Sequence, residues 1–305
     1  MNLTWLEDFL ALAASGNFSR ASEERHSSQP AFSRRIRSLE EWIGTDLFDR
    51  SHQPAKLTDV GEWFVGIAEE MLARVAKLPG EAKFIADANA STLRIASTHA
   101  LSFTFLPRWL HSLGPASTVG QIQIMSDVLL RCEALMEQSK VQFVLSHAHA
   151  ASIGILDGEA YRSARVGDDV MVPVARPDSN GAPIHRLDAP GGAPVPALLY
   201  SEESGLGRIL RAVLGRRLER LPLHADFTAH AASVLRTMAL DGRGLGWLPR
   251  TLVDDDLKMG RLVAAAGEEW SVPLEIRLYR ERAPIGKAAE AFWGAVTRER
   301  TENAR

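Results

Sequence analysis

The chain has 305 residues, of which 46% are hydrophobic and 24% charged, and its formal net charge is -3 at pH 7. These values are typical of a soluble globular protein with two or three domains, and any nucleic-acid role must rest on local clusters of charge. No apolar run approaches about 18 residues and no basic secretory signal opens the chain, so we expect a cytoplasmic protein without a membrane partner. The single cysteine, Cys132, excludes an internal disulfide and any multi-cysteine metal site.

Two short helices are predicted at the N-terminus. Trp5, Phe9 and Leu12 form an apolar stripe at helical spacing, which predicts a first helix that ends near the turn signal at residues 15–17. A second helix is predicted from Phe18 to about residue 26, where polar residues and an X-Pro step discourage further helical turns.

A third helix is predicted to end near Gly44. Ser28 or Gln29 can cap it and Pro30 suits its first turn. An apolar stripe at i, i+4 and i+7 predicts the face that packs on the domain, and the other face carries no acid. The packing residues are Phe32, Ile36 and Leu39, and the polar face holds Gln29, Ser33, Arg34 and Arg37.

The polar face of the third helix suits DNA. Two short helices joined by a tight turn, the second with Gln, Ser and Arg in its first half, match a helix that reads the major groove. Gln and Arg can contact base edges, while Ser and further arginines such as Arg37 can hold phosphates. The alternative is a solvated basic face on a structural helix, which is the usual meaning of a charge run. The helix-turn-helix context favours DNA.

The segment GNFSRASEERHSSQPAFSRRIRSLEEWIGTDLFDR, followed by LTDVG, resembles the winged helix-turn-helix of the LysR-type transcriptional regulators. The resemblance covers about the first ninety residues. It implies a wing at residues 46–57 with Arg50 near phosphates, whereas Arg25 and Ser27 stand where apolar residues are common in the family. The residues that it places on the DNA-reading turn and helix are Ser28, Gln29, Pro30, Ser33 and Arg34.

A long helix is predicted to follow from residue 59. Apolar residues recur every three or four positions from Val60 to Ile85, so another helix must cover this stripe. The family resemblance implies a linker that pairs with a second copy, giving a dimer or tetramer; the alternative is an ordinary core helix. Pro79 predicts a kink or a helix end close to Leu78.

The rest of the chain alternates short apolar runs with helical patterns, which predicts a parallel sheet with right-handed crossovers. Two such sets and a returning strand resemble the two-lobed, periplasmic-binding-protein type of effector domain that LysR regulators carry. The predicted organisation is a winged helix-turn-helix at 1–58, a linker helix at 59–90 and an effector domain at 91–305. Within that domain we expect lobe I at about 91–160 and 268–305, and lobe II at about 161–267.

A ligand cleft is predicted at the carboxyl ends of the strands, where open α/β sheets bind their ligands. Helix N-termini there could bind an anion, so a small carboxylate is one candidate effector. The predicted effector-binding residues are Thr98, His99, Ala100, Asp127, Ser146, His147, Ser201, Ser204, Thr228, His230 and Gly246.

The histidines near this cleft leave several roles open. His147 and His149 are two apart and would point the same way on a strand, so a metal site or a protonation switch could use them. Ordinary hydrogen-bonding histidines are the better interpretation, because no acid or cysteine completes a ligand spacing. We therefore predict no metal and no cofactor.

Several motifs, LLYSEESGLGR among them, are most similar to a LysR subgroup that responds to hypochlorite through methionine oxidation. An oxidant is therefore a second candidate signal. Leu113, Leu206 and Ala231 stand where that subgroup has the implicated methionines, and the chain's own Met125, Met136, Met171 and Met238 fit cores.

Two other functions compete with that of a DNA-binding regulator. An enzyme would need a nucleophile elbow or a phosphate loop, and SGLGRIL lacks the residues of either. A pure solute-binding module does not account for the helix-turn-helix. The sequence predicts a homo-oligomeric regulator of LysR type and not an enzyme.

Overall fold

The computed structural model describes residues 2–51, 54–86, 92–114, 121–187 and 194–303. The chain divides into two compact units, Met1–Ala82 and Lys83–Arg305. The last residues of the predicted linker helix, 87–90, lie outside the described residues. Within the described ranges, no helix is long and apolar enough to cross a membrane.

The first unit is a helical domain with a small hairpin. Its elements are α1 (Leu3–Ser15), α2 (Phe18–Glu24), α3 (Gln29–Ile43), β1 (Phe48–Asp49), β2 (Lys56–Leu57) and α4 (Asp59–Ala86). The three predicted helices are confirmed, and the hairpin β1–β2 lies in the predicted wing segment. Helices α1 and α3 end at Gly16 and Gly44, whose φ values of 61° and 89° are ones that glycine adopts without strain.

The core of this unit comes from the predicted apolar stripes. Phe9 is fully buried and packs against Phe48 and Phe64. Its ring centroid lies 5.4 Å from that of Phe48 and 5.1 Å from that of Phe64. Phe32 and Ile36 bury the inner face of α3 in the same core. The stripe at i, i+4 and i+7 therefore orients α3, which leaves its polar face outward.

Helix α4 runs as one α-helix from Asp59 to Ala86, with Pro79 inside it. Of the two expected alternatives, a helix end near Leu78 is therefore wrong, and a kink there stays a prediction. The missing donor of Pro79 costs one intrahelical bond, which the turns on either side outweigh. Three apolar side chains of this helix, Val60, Trp63 and Leu78, are 36%, 63% and 49% exposed.

The second unit alternates strands and helices. The elements of lobe I that come before β6 in the chain are β3 (Leu93–Thr98), α5 (His99–Thr104), α6 (Leu106–Ser112), β4 (Ile122–Asp127), α7 (Leu129–Glu137) and β5 (Phe143–Ala148). Then follow β6 (Tyr161–Ala175), β7 (Val195–Tyr200), α8 (Gly205–Leu218), β8 (Leu223–Ala229), α9 (Ala232–Leu240), β9 (Leu245–Pro249), α10 (Arg250–Lys258), β10 (Val263–Ala264), β11 (Val272–Glu281) and α11 (Lys287–Asn303). Helix α9 begins at Ala232, three residues after the end of β8 at Ala229. Helix α10 was not predicted.

One sheet carries both lobes. In the part of the chain that the structure describes, its strand order is β4-β3-β5-β11-β6-β9-β7-β8, and β10 pairs with β6. The outer pairs are parallel, whereas β11 and β6 run antiparallel through the middle. Strand β6 pairs with β11 first and then with β9 and β10, so it passes from one lobe into the other.

The packing changes partway along these two middle strands. On β6, Ala164 lies in a core with lobe I residues, while Met171 lies in the core of lobe II. On β11 the change falls between Leu274 and Ile276. The predicted lobe limits near residues 161 and 268 lie a few residues before these changes, because each strand belongs to both lobes.

Helix α8 packs closely on strand β7 through Gly207. A Cβ on Gly207 would lie 2.5 Å from the Cβ of Tyr200, whereas a Cβ on Gly215, in the same helix, would meet no atom within 4 Å. Glycine at position 207 therefore sets the distance between the helix and the sheet.

We expect Gly207→Ala to lower the free energy of unfolding by about 1–3 kcal/mol, because a methyl group is forced against the sheet. Gly215→Ala is the matched control and should raise it by about 0.5–1 kcal/mol, since alanine favours a helix. Scanning calorimetry of the full chain measures both. Equal effects of the two substitutions would contradict the close packing.

Candidate functional site

The polar face of α3 is open to solvent. Ser28 lies at the N-cap and makes no side-chain capping bond, and Pro30 lies in the first turn. Ser33 is half-buried, and no described acid pairs with Arg34 or Arg37. The face therefore offers hydroxyl, amide and guanidinium groups together. Its exposed residues are Ser28, Gln29, Pro30, Arg34 and Arg37.

The turn before α3 rests on a buried carboxylate. Asp8 of α1 is fully buried, and one of its oxygens accepts a hydrogen bond from Arg25 Nε at 3.2 Å. Arg35 of α3 pairs with the other oxygen and also donates to Ser27 Oγ at 2.9 Å. His26, between Arg25 and Ser27, has a φ of 49°. All three helices are thus tied to one charge beneath the turn.

This network accounts for the two unusual residues of the turn. Apolar residues were expected at positions 25 and 27 from the resemblance, whereas here Arg25 forms ion pairs and Ser27 accepts a hydrogen bond from Arg35. A buried carboxylate is costly unless it is paired, so Asp8 needs Arg25 and Arg35 near it. The position of α3 therefore depends on polar contacts as well as on its apolar face.

Arg50 fixes the base of the wing. Its guanidinium pairs with the buried Glu40 of α3 and lies 5.8 Å from the ring centroid of Phe18. The other oxygen of Glu40 accepts hydrogen bonds from the backbone N–H groups of Leu47 and Phe48 at 3.0 and 3.3 Å. Because this pairing occupies part of the guanidinium, the predicted phosphate contact of Arg50 stays a prediction.

A second candidate site lies between the two lobes, at the carboxyl ends of the strands. We call it the interlobe cleft. Its cavity of about 30 Å³ has room for one or two waters or for an anion of a few atoms. It is lined by Thr98, His99, Ala100, Asp127, Val128, Leu129, His147, Ser204, Gly205, Leu206, His230, Ala231 and Ala232.

Four of the predicted effector-binding residues lie away from this cleft. Ser146 lines a neighbouring cavity instead, which His147 borders as well. Thr228 is an exposed residue within β8, and Gly246 is buried in β9 against Leu198. Ser201 also lies outside the lining, and its hydroxyl is buried without a hydrogen-bond partner in the described structure.

Helix N-termini were expected at the cleft, but the residues at these helix starts were not among the predicted effector-binding residues. Val128, Leu129, Gly205, Ala231 and Ala232 lie at the first turns of α7, α8 and α9. The sequence carries a signal for two of them, because Val128 directly follows Asp127 at the end of β4 and Gly205 directly follows the predicted residue Ser204.

The two lobes touch across the cleft. A Cβ on Gly205 of α8 would lie 2.6 Å from Leu129 of α7, so these helix starts are in close contact. Next to them, Arg208 donates a hydrogen bond to Glu133 at 3.1 Å across the lobes. Burial raises the pKa of Glu133, and Arg208 opposes that shift. The small cavity is the result of this closed arrangement.

Histidines occupy both walls. His99 Nδ1 lies 2.9 Å from Ser126 Oγ, and the rings of His99 and His230 are 6.1 Å apart. No lysine or arginine lines the cleft. The described residues contain no group of three His, Cys, Asp or Glu side chains that could hold a metal ion.

The side chain of His147 is held by a contact with Asp169 of β6. His147 Nε2 lies 3.1 Å from Asp169 Oδ2, and both side chains are almost fully buried, at 3% and 1% exposure. Thr251 donates its hydroxyl to the same oxygen at 2.6 Å and its N–H to the other at 3.1 Å. Burial acts to raise the pKa of Asp169, but the hydrogen bonds from His147 and Thr251 outweigh burial and lower this pKa.

Cys132 does not contribute to either site. It is fully buried in α7, and burial raises the pKa of its thiol to about 12. A thiol that stays protonated is a poor nucleophile and a poor target for oxidation.

A helix-turn-helix unit with an exposed basic helix, followed by a two-lobed α/β unit with a cleft at its strand ends, defines a ligand-responsive DNA-binding regulator. Residues 3–62 match the bacterial regulatory helix-turn-helix protein of the lysR family, and residues 86–301 match the LysR substrate binding domain. The chain belongs to the LysR family. It is a DNA-binding transcription regulator and not an enzyme.

Known proteins similar to the chain over nearly its whole length carry the same description. The HTH-type transcriptional regulator YjiE of Escherichia coli K12 is 31% identical over 289 residues, which are 95% of this chain and 92% of that protein. The full-length structure of HypT from Salmonella typhimurium, a hypochlorite-specific LysR-type regulator, is 27% identical, covers 99% of both chains and has a TM-score of 0.60. Vibrio fischeri DarR, solved in complex with DNA, is 26% identical over 97% of this chain and 98% of that one, with a TM-score of 0.58.

We expect Asp8→Asn to lower the free energy of unfolding by about 1–3 kcal/mol, because Arg25 and Arg35 lose their shared charged partner. Operator affinity should fall with it, since α3 is then less firmly placed. Calorimetry and gel-shift assays of the full chain measure the two effects.

Glu7→Gln is the matched control for this prediction. Glu7 is the next residue along α1 and pairs with Arg25 from a side chain that is 44% exposed. An exposed pair contributes little, so the change should stay within about 0.5 kcal/mol. If both variants unfolded alike, the buried carboxylate would not be what holds the turn.

Proposed function

We propose that the protein reads a specific operator through the exposed face of α3. The observation that carries this proposal is the acid-free set of Ser, Gln and Arg side chains on a helix whose opposite face is buried. Amide and guanidinium groups can make bidentate bonds to base edges, and hydroxyl groups can hold phosphates. The proposed contacts are Ser28, Gln29, Pro30, Ser33, Arg34 and Arg37, with Arg50 at the wing.

The interlobe cleft is the proposed site of a small effector. Thr98, His99, Asp127, His147, Ser204 and His230 converge there from both lobes. A ligand in contact with both lobes favours one arrangement of them over another, and any difference in its affinity for two assemblies shifts their populations. Ligand binding would change the grip on DNA in this way.

Methionine oxidation by hypochlorite has weaker support than effector binding. Of the positions that correspond to the implicated methionines, Leu206 and Ala231 line the cleft and Leu113 is buried in lobe I. No sulfur atom lines the cleft. Met136 and Met171 are fully buried, which protects them, and Met259, at 67% exposure, lies at the end of α10. The similarity to HypT alone supports an oxidant.

A homo-oligomer is proposed through α4. Val60, Trp63 and Leu78 are exposed and fall within one arc of this helix at its period of 3.6 residues. Exposed apolar side chains in one stripe on a long helix are covered by another helix in a coiled-coil-like pair. The same helix in a second copy is the proposed partner, which sets two reading helices on one operator.

Arg34→Ala should weaken operator binding by about 1–3 kcal/mol and relax the sequence preference, because the variant cannot bond a base edge at this position. Arg37→Ala should weaken binding to specific and random DNA alike and reduce the salt slope by about 1, because one phosphate is no longer neutralised. Fluorescence anisotropy with an operator selected from a random library measures both.

Arg220→Ala, an exposed arginine of the second unit, is the control for these variants and should leave DNA affinity unchanged. Full sequence discrimination by Arg34→Ala would reject α3 as the reading helix.

Trp63→Glu should shift the oligomer towards monomers, since it would bury a charge between the helices. Operator affinity should fall at least about tenfold, because a monomer binds only one half-site. Sedimentation velocity measures the oligomer. Glu69→Gln, on the opposite side of α4, should leave it unchanged. Unaltered sedimentation of Trp63→Glu would place the interface elsewhere.

A further inference from the structure

An ion pair joins helix α7 of lobe I to helix α8 of lobe II. Arg208 Nη2 donates a hydrogen bond to Glu133 Oε1 at 3.1 Å. The carboxylate of Glu133 is almost fully buried, whereas the Arg208 side chain is half-buried. In the described part of the chain, each of the two residues is the other's only ion-pair partner. The pair therefore exists only while α7 and α8 lie side by side.

The surroundings of Glu133 make this pair favour closed lobes. The cavity beside it has a volume of about 10 Å³, which is about the space that one water requires. All the residues that line this cavity belong to lobe I, except Arg208 and Ile209. If the lobes separated, lobe I would still cover much of Glu133, but the carboxylate would have lost its partner. A buried carboxylate without a partner is costly, so the pair opposes separation.

Gly154 of lobe I leaves the space that the guanidinium occupies. Its φ of -122° and ψ of -177° are extended values that any residue adopts, so backbone freedom does not require glycine here. A Cβ at this position would lie 2.7 Å from Arg208 Nη2 and 3.2 Å from Glu133 Oε1. A side chain at position 154 would therefore push the guanidinium away from the carboxylate.

The pair lies beside the contact that closes the interlobe cleft. Leu129 and Gly205, at the starts of α7 and α8, line the cleft and lie against each other. The cavity of about 30 Å³ admits only a few atoms, so a larger ligand enters only if these helix starts move apart. That movement also pulls Glu133 and Arg208 apart, because each lies about one turn further along its helix.

We propose that Glu133 and Arg208 form a latch, which keeps the lobes closed and must separate before a ligand larger than the closed cavity can enter the interlobe cleft. This inference rests on the proposed effector site and adds a control of access to it. Only the open fraction of the protein binds such a ligand, so the latch lowers the apparent affinity in proportion to that fraction. A weaker latch would make the regulator respond to less effector.

The test is the alkylation of Leu129→Cys in the full chain by iodoacetamide, with no ligand or DNA added. Leu129 is buried against Gly205 of the other lobe, so a cysteine there becomes accessible when the lobes part. At low reagent concentration alkylation is slower than reclosing, and its rate reports the equilibrium constant for opening.

Two other cysteines serve as references for this rate. The native Cys132 is fully buried in the core of lobe I, so it reacts only if that lobe unfolds. A separate Leu130→Cys variant places a thiol at an exposed position of α7 and corrects for the reactivity of the reagent.

Arg208→Gln should speed alkylation at position 129 about tenfold or more, because a charge-assisted hydrogen bond between the lobes is lost. Gly154→Ala should act in the same direction without changing either charge. Arg211→Gln, about one turn further along α8, is the matched control. Arg211 donates to the carbonyl oxygens of Tyr200 and Glu202 in its own lobe, so its loss should leave the rate unchanged.

Glu133→Gln separates a latch from two independent effects. If the residues act as a pair, E133Q/R208Q should react no faster than R208Q, because the pair is lost only once. Effects that multiply in the double variant overturn the inference, as does an unchanged rate in R208Q and G154A. Where Cys132 of R208Q also reacts faster, that variant has unfolded, and the rate in G154A decides.

The alkylation test is independent of the proposed function. Because it uses neither ligand nor DNA, its failure rejects the latch and leaves the proposed effector site and the proposed operator contacts in place. Loss of sequence discrimination by the parent protein in the anisotropy assay would instead reject those contacts, whatever the alkylation rates are.

Discussion

The second unit depends on the pairing of β6 with β11. These two antiparallel strands pass through both lobes and are paired along the whole of β11, from Val272 to Glu281. The backbone hydrogen bonds of this pairing keep the two lobes attached to each other. A register shift between Ile276 and Arg277 falls near the passage from one core to the other. The sheet continues from one lobe into the other, whereas each lobe has its own helices. The interlobe cleft lies where the helices of the two lobes face each other.

Buried carboxylates organise both units in the same way. Asp8, Asp169 and Asp256 are each nearly or fully buried, and each accepts bonds from two different parts of the chain. Arg236 of α9 and Arg261 after α10 share Asp256, just as Arg25 and Arg35 share Asp8. An unpaired buried charge is costly, so the fold is stable only when the partners of each of these carboxylates lie beside it. Hydrogen bonds and ion pairs depend on direction more strongly than apolar contacts do. They therefore fix the orientation of the elements that they join.

Local patterns in the sequence predicted most of the elements. The stripe of Phe32, Ile36 and Leu39 predicted both the buried face of α3 and the exposure of Arg34 opposite it. Apolar runs predicted the strands. Pro79 does not end the helix, because a single missing hydrogen bond within a long helix is outweighed by the turns around it. Helix α10 was not predicted, because its acidic sequence has only a short buried face.

The sequence by itself determined the class of protein, since spacing along a helix decides which side chains share a face and the motifs of the turn lie within a few residues of one another. Only the tertiary structure decided what surrounds them. The pairing of Arg25 and Arg35 on Asp8, and of His147 with Asp169 and Thr251, joins residues from separate elements. Such contacts depend on the path of the chain through space, which local periodicity does not encode. The chemistry of the cleft is accordingly a property of the fold.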